Sequence, residues 1–449
     1  MTKYKLDLQL LALLGITLLI WLLKDILFVY GLIIYLLIFA YLIYQKKPFS
    51  HFFVVILFSV MSMQSDTGSF KIDYCLTIIV FVLVVINNIK KKQIVVGKLL
   101  LPLVILLGYS FISIAWTPVK ADGFHGLVAM LEGYLIYYLL TNAGFRINKD
   151  DLLTISKVAT YIMLTLTLEL FYIYYLHGFQ ATINRKQLIN LGWGYSNLIA
   201  IVFVLLLPLA LYKYLNKNKY YLGYFMLDIV NIFGLVLTMS RGAFLGVAIS
   251  LGIFTVLYVR KRLLVKYGGI LGMGIALGTF LLWLFQKPLF NKLISTFKTL
   301  FTSKEIFDDP NRSPLYKVAI KTFLDKPIFG NGLKSSKYLI YYHLDGRQNV
   351  HFHNFILQIA ATLGVIGLII LSFLIVRWVK VLYKPKDTFV VCSALSIIGA
   401  LTHQLLDSSF DLFYFGVFFY GIFAIVEIYR HYLSDDKVKF TNIPLKIKS

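Results

Sequence analysis

Charge is what this sequence is short of. Only 14% of its residues are Asp, Glu, Lys or Arg, where a soluble globular chain carries about 25%. Acids are scarcest, at 21 against 44 Lys and Arg. Too few charges remain to cover a water-facing surface, which excludes a soluble enzyme and a disordered chain. Cysteine is nearly absent: Cys75 and Cys392 lie in separate apolar runs with no Cys/His spacing around them, so neither a disulfide scaffold nor a zinc site is implied. No Asp-x-Asp pair is present, since Asp308 and Asp309 are adjacent and Asp407 and Asp411 are four apart. No repeat with a period of 20–50 residues stands out. After Lys3, Lys5 and the run from Leu6 no small-x-small cleavage site follows, so the first run reads as an uncleaved helix.

What is present is apolar. Of 449 residues, 59% are hydrophobic and the mean hydropathy is +0.78. Apolar runs fall at about 6–23, 26–44, 50–64, 74–89, 94–116, 124–141, 152–176, 196–215, 220–238, 242–259, 267–285, 354–378, 388–406 and 411–430. The pattern predicts an all-α, polytopic membrane protein of about 14 transmembrane helices, or 12–14 because the third and fourth runs are short.

The net charge of +23 marks orientation, not nucleic-acid binding, because the basic residues cluster between apolar runs. With the N-terminus inside, even connections hold Lys46–Lys47, Lys90–Lys92, Arg146, Lys149, Lys213, Lys217, Lys219, Arg260–Arg262, Lys266, Arg377, Lys380, Lys384 and Lys386. Odd connections hold only Lys24, Lys71, Lys120, Arg185, Lys186 and Arg241. The asymmetry predicts cytoplasmic termini. The exception to short connections is residues 286–353, with 11 basic and five acidic residues, expected outside. A connection this long is usually functional. The expected organisation is therefore 1–285 with helices one to eleven, 286–353 as an extracytoplasmic loop with amphipathic helices, 354–430 with three more spans, and 431–449 as a cytoplasmic tail.

Three external positions invite a chemical reading. Ser240 reads as the N-cap of the tenth span, which puts Arg241 in a first turn where the macrodipole disfavours a cation. Either an anion binds there or the side chain reaches lipid phosphate. In Asp309-Pro310-Asn311-Arg312-Ser313-Pro314, Ser313 as N-cap and Pro314 at the first helical position start an amphipathic helix that Pro327 stops. Arg312 then joins backbone N–H groups as a phosphate fork, or pairs with Asp308 and Asp309. His353 stands where the twelfth span begins. A helix start disfavours an imidazolium, which suits a proton acceptor, although a histidine at an interface also serves as a polar anchor. Within the spans, Glu132, Glu169, Asp228 and Glu427 must be paired or wet; Glu169 is near the external end of the seventh and faces either a cavity or a helix partner. Trp193 and Tyr195, beside Arg185, suit sugar stacking or an interfacial aromatic belt.

Ser240-Arg241-Gly242-Ala243, Arg312 with Asp325-Lys326-Pro327-Ile328-Phe329-Gly330-Asn331-Gly332, His353-Asn354-Phe355-Ile356-Leu357-Gln358 and Leu363-Gly364-Val365-Ile366-Gly367 share an order and an expected side of the membrane. Together with Asn197-Leu198-Ile199-Ala200, they resemble the O-antigen ligase and O-antigen polymerase (Wzy-type) membrane glycosyltransferases over roughly residues 190–370. The resemblance implies a GT-C-like helical bundle in the bacterial plasma membrane and a glycan donor carried on undecaprenyl pyrophosphate. It assigns Arg241 and Arg312 to the pyrophosphate and His353 to the acceptor hydroxyl, with Asn354, Asn197, Arg185 and Glu169 as further substrate-binding candidates. No cofactor or metal is expected; the partners implied are membrane lipid, a chain-length regulator and a flippase. A bias toward Lys, Ile, Asn, Phe and Tyr accompanies AT-rich genomes, including many Gram-positive bacteria without lipopolysaccharide, and favours a capsule or exopolysaccharide polymerase. A ligase with another acceptor is the alternative. A lipid-linked oligosaccharide flippase is the reading from another class, and the 68-residue loop argues against it.

Overall fold

The computed structural model describes residues 2–45, 49–62, 72–144, 147, 149–192, 194–215, 221–258, 290–291, 294–295, 312–384, 387–408, 413–432 and 441–444. The eleventh apolar run, most of 286–311, Trp193, Asp308, Asp309, Asp411 and the basic clusters at 46–47 and 260–262 lie outside them. In chain order come α1 (Thr2–Leu22), α2 (Lys24–Tyr44), α3 (Phe49–Ser62), α4 (Ile72–Lys91), β1 (Gln93–Val96), α5 (Leu100–Ser113), α6 (Lys120–Asn142), α7 (Lys149–His177) and α8 (Phe179–Asn184). Then follow α9 (Ser196–Leu215), α10 (Tyr221–Leu237), α11 (Arg241–Tyr258), α12 (Ser313–Asp325), α13 (Ser336–His343), α14 (Phe355–Leu382), α15 (Thr388–Gln404), α16 (Phe413–Tyr432) and β2 (Thr441–Pro444).

The fold is mostly helical. Among the described residues, five helices are long and apolar enough to cross a membrane, over Tyr74–Lys91, Lys120–Asn142, Asp150–His177, Ser196–Leu215 and Phe355–Leu382, beside several shorter apolar ones. On α5 the inner face buries Pro102, Leu103, Leu106 and Ser110. Its outer face exposes Leu101, Val104, Ile105, Phe111 and Ile112. A helix apolar on both faces needs lipid on the outer one. The chain is a multi-pass membrane protein.

Two expectations change in detail. The run at 94–116 starts as a strand: Gln93–Val96 pairs antiparallel with Thr441–Pro444, Ile94 opposite Ile443, so the C-terminal stretch is not simply a tail. Asn142 makes this possible by accepting from Val95 N (2.8 Å) and donating to Val95 O (3.0 Å), which supplies β1's other edge. The helix expected at 354–378 is broken at Gly364, whose φ is 65°.

Hydrogen bonds sort the connections between two ends. At one end, Trp21 at the close of α1 donates to Leu191 O (2.9 Å), Thr117 between α5 and α6 to Leu333 O (2.8 Å), and Asn354 to Leu405 O (3.1 Å). At the other, Lys157 pairs with Asp7 (3.1 Å) and Arg430 donates to Lys380 O (2.9 Å), near the β1–β2 ribbon. Small residues set the spacing that matters for the first end. A Cβ on Gly246 of α11 would stand 2.5 Å from Gly399 O of α15, and Ser250 donates to Leu395 O (2.8 Å). This close approach, typical of helices in lipid, brings the start of α11 against the end of α15.

Candidate active site

The polar residues of the first end are positioned by helix termini. The chain enters α14 through Asn354, whose side chain accepts from Ile356 N and Leu357 N as an N-cap. His353, one residue before it, has a φ of 54°. A non-glycine residue in the left-handed region costs on the order of 1 kcal/mol, and persists only where its surroundings over-determine it. Here they do. Nδ1 of His353 lies 2.8 Å from Oδ1 of Asp407, which sits in the turn that ends α15.

Asp407 is the hub. With a carboxylate at Nδ1, that nitrogen is the donor and Nε2 carries the ring's lone pair. Oδ1 also accepts from Ser408 N (2.9 Å), and Oδ2 accepts from Nδ2 of Asn197 (2.5 Å). Asn197 is held in turn by Nζ of Lys186 on its Oδ1 (2.6 Å), and Lys186 also donates to Met239 O (3.2 Å). Burial alone would push the Asp407 carboxyl up. The hydrogen bond and charge of His353, with the charges of His403 and Arg312, outweigh it and hold the group well below the usual carboxylate range.

Arg312 acts electrostatically on this hub, and Arg241 starts a helix at the neighbouring corner. Arg312 is the N-cap residue of α12, one position earlier than the spacing suggested, because Ser313 already lies inside the helix. It accepts Tyr316 N on its carbonyl, and the Tyr316 hydroxyl donates to His353 O (3.4 Å). Arg241 opens α11 directly after Ser240, whose Oγ lies 3.4 Å from Nε2 of the buried His403. Met239, at φ 53°, turns the chain into this corner.

Of the candidates read from sequence, Arg241, Arg312, His353, Asn354 and Asn197 therefore converge. Asn354 works as cap and brace, donating to Leu405 O (3.1 Å), so its geometry is that of a support. Arg185 is exposed and ends α8; its neighbour Lys186 is the residue that enters the network. Glu169 is fully buried in α7, about two turns before that helix ends. Sequence reading missed Lys186, His403 and above all Asp407. The signal for Asp407 is an acid at an external connection of a chain poor in acids. Among the described residues, no group of three or more His, Cys, Asp or Glu side chains is arranged to hold a metal ion.

The glycine motifs shape the backbone beneath the site. Gly330 (φ 68°) and Gly364 (φ 65°) lie back to back, and a Cβ on either would meet backbone atoms at 2.4 Å. Asn331 N and Gly332 N donate to Ala361 O and Thr362 O across this seam, and Val365 N to Pro327 O. The seam fixes α12, and with it Arg312, against α14.

The comparisons fall on this part of the chain. Residues 225–372, about a third of the sequence, match the family model described as O-Antigen ligase. No curated protein matches the chain. The matched segment carries Arg241, Arg312, His353 and Asn354, while Lys186, Asn197, His403 and Asp407 reach the same site from outside it. Over that segment the chain is similar to the O-antigen ligase family.

Proposed function

We propose that the protein is a polysaccharide polymerase, which moves a glycan from undecaprenyl pyrophosphate to the end of another lipid-linked repeat unit outside the plasma membrane. The observation that carries the reading is the 2.8 Å His353–Asp407 pair, with Arg312 acting on the carboxylate and Lys186 joined to it through Asn197. Nε2 of His353 takes the acceptor hydroxyl proton while the hydroxyl oxygen attacks the anomeric carbon. The carbon–oxygen bond to the pyrophosphate breaks, and undecaprenyl pyrophosphate leaves with the electron pair. Asp407 stabilises the imidazolium that forms, as a carboxylate behind a catalytic histidine does. Arg241 and Arg312 hold the pyrophosphate and take up its growing charge, the electrostatic task a divalent cation performs elsewhere. The transfer is a single displacement with inversion, independent of metal.

The family description favours a second reading, a ligase that delivers the glycan to a different acceptor by the same chemistry. Purified protein given only lipid-linked repeat unit distinguishes them. A ladder of products spaced by one repeat supports the polymerase. Product formed only when a separate acceptor is added supports the ligase, and no glycan transfer in either case defeats both.

A further inference from the structure

The relay that reaches His353 from Asp407 has a counterpart on the other ring nitrogen. The connection between α13 and α14 brings Nδ2 of Asn349 to 3.4 Å from Nε2 of His353. Nε of Arg347 donates to Oδ1 of the same amide at 2.9 Å. The two contacts agree on one orientation of the amide: a guanidinium N–H can bond only to the oxygen, so the NH2 faces the histidine. Nε2, already the lone-pair nitrogen because Nδ1 bonds Asp407, is then the acceptor. The chain of donors runs Arg347 to Asn349 to His353 to Asp407, and from the opposite side Lys186 to Asn197 to Asp407.

The 3.4 Å contact is longer than the 2.7–3.2 Å of an ordinary hydrogen bond, whereas the Asp407 contact is a short one. The histidine is thus held tightly on its carboxylate side and loosely on the side where a proton must arrive. The loop that carries Asn349 is anchored from behind, by Ser336 donating to Val350 O (2.7 Å) and Gln358 accepting from Phe352 N (3.1 Å). Arg347 and Asn349 are both half-buried, open on one side to an approaching solute.

We propose that Asn349 and Arg347 form the acceptor subsite, binding the hydroxyl-bearing end of the incoming sugar. The acceptor hydroxyl displaces the Asn349 amide from Nε2, and the freed N–H groups of Asn349 then hold the same sugar by its oxygen atoms, with Arg347 fixing the amide. Asn349 and Arg347 are positioning residues, and the proposal rests on His353 being the proton acceptor. The donor pyrophosphate, by contrast, is held by Arg241 and Arg312 and needs neither residue.

The test is steady-state transfer by the full-length protein in detergent, with lipid-linked repeat unit purified from the source cells as donor and the same oligosaccharide freed of its lipid as acceptor. Asn349→Ala is expected to raise the acceptor KM by roughly 3- to 10-fold, the size of a lost neutral hydrogen bond, with the donor KM unchanged. Arg347→Ala is expected to move the acceptor KM in the same direction, and Gln348→Ala, between them and exposed, to move neither. Asn349→Asp keeps the shape but removes the N–H groups that would hold the sugar, so it is expected to raise the acceptor KM as Asn349→Ala does, with the donor KM unchanged. Wild-type acceptor KM in Asn349→Ala and Arg347→Ala, with His353→Ala inactive, overturns the subsite. Activity surviving in His353→Ala overturns instead the reading on which it rests.

Discussion

Asp407 is the residue on which the site's chemistry turns, because it decides which nitrogen of His353 is basic. Its folded-state pKa is depressed, so its contribution to stability is present above the ordinary carboxylate range and is lost only as pH falls through the lower folded value. Between pH 5 and 7, thermal melts of the wild type and of Asp407→Asn should therefore keep a constant separation. A separation that closes on the way from pH 7 to pH 5 would show that Asp407 titrates there. The arginines make a different demand. A pyrophosphate held by two planar forks is not held equally by two point charges, so Arg241→Lys and Arg312→Lys should each lose about 2–4 kcal/mol of transition-state binding, roughly 30- to 1,000-fold in rate. Near-normal polymer from both variants at normal expression would remove them from the site.

Elements explain what was legible in the sequence and what was not. Apolar runs marked α1 to α7, α9 to α11 and α14 to α16 because lipid-facing helices advertise themselves residue by residue. The Ser313-Pro314 start of α12 was legible too, to within one residue, because Pro at a first turn is a local signal. The strand at Gln93–Val96 was hidden inside an apolar run, since its partner lies at Thr441–Pro444 and pairing across the chain leaves no local period. Asp407 was hidden for the same reason: it meets a histidine 54 residues away. Arg241, Arg312 and His353 stood out because cations at helix starts contradict the macrodipole. The glycine motifs were visible, but their purpose, a seam between Ile328–Gly332 and Ala361–Ile366, required the fold. Gly364→Ala should test that seam. With φ at 65° and a backbone oxygen 2.4 Å from the new Cβ, it should cost on the order of 2–4 kcal/mol in detergent melts. Gly15→Ala, where a Cβ meets nothing within 4 Å, should cost far less. Equal effects would mean that the seam is not under strain.

At the scale of the whole molecule, the account needs the end bearing His353 to face outward and the β1–β2 end to face the cytoplasm. Exposed Lys337 and Lys91 serve as labelling positions at the two ends. With Cys75 and Cys392 replaced, Lys337→Cys should react with an impermeant thiol reagent in intact cells and Lys91→Cys only after lysis, and the reverse would invert the site. The central claim, that a buried carboxylate arms His353 to take the acceptor proton while the arginines hold the donor, meets its most direct test in one comparison. His353→Ala and His351→Ala are each incubated with lipid-linked repeat unit, and both chain extension and donor retention are measured. His353→Ala should form no extended chain yet retain the donor as the wild type does, and His351→Ala should extend normally. A wild-type product ladder from His353→Ala, or equal loss from both variants, would contradict the account.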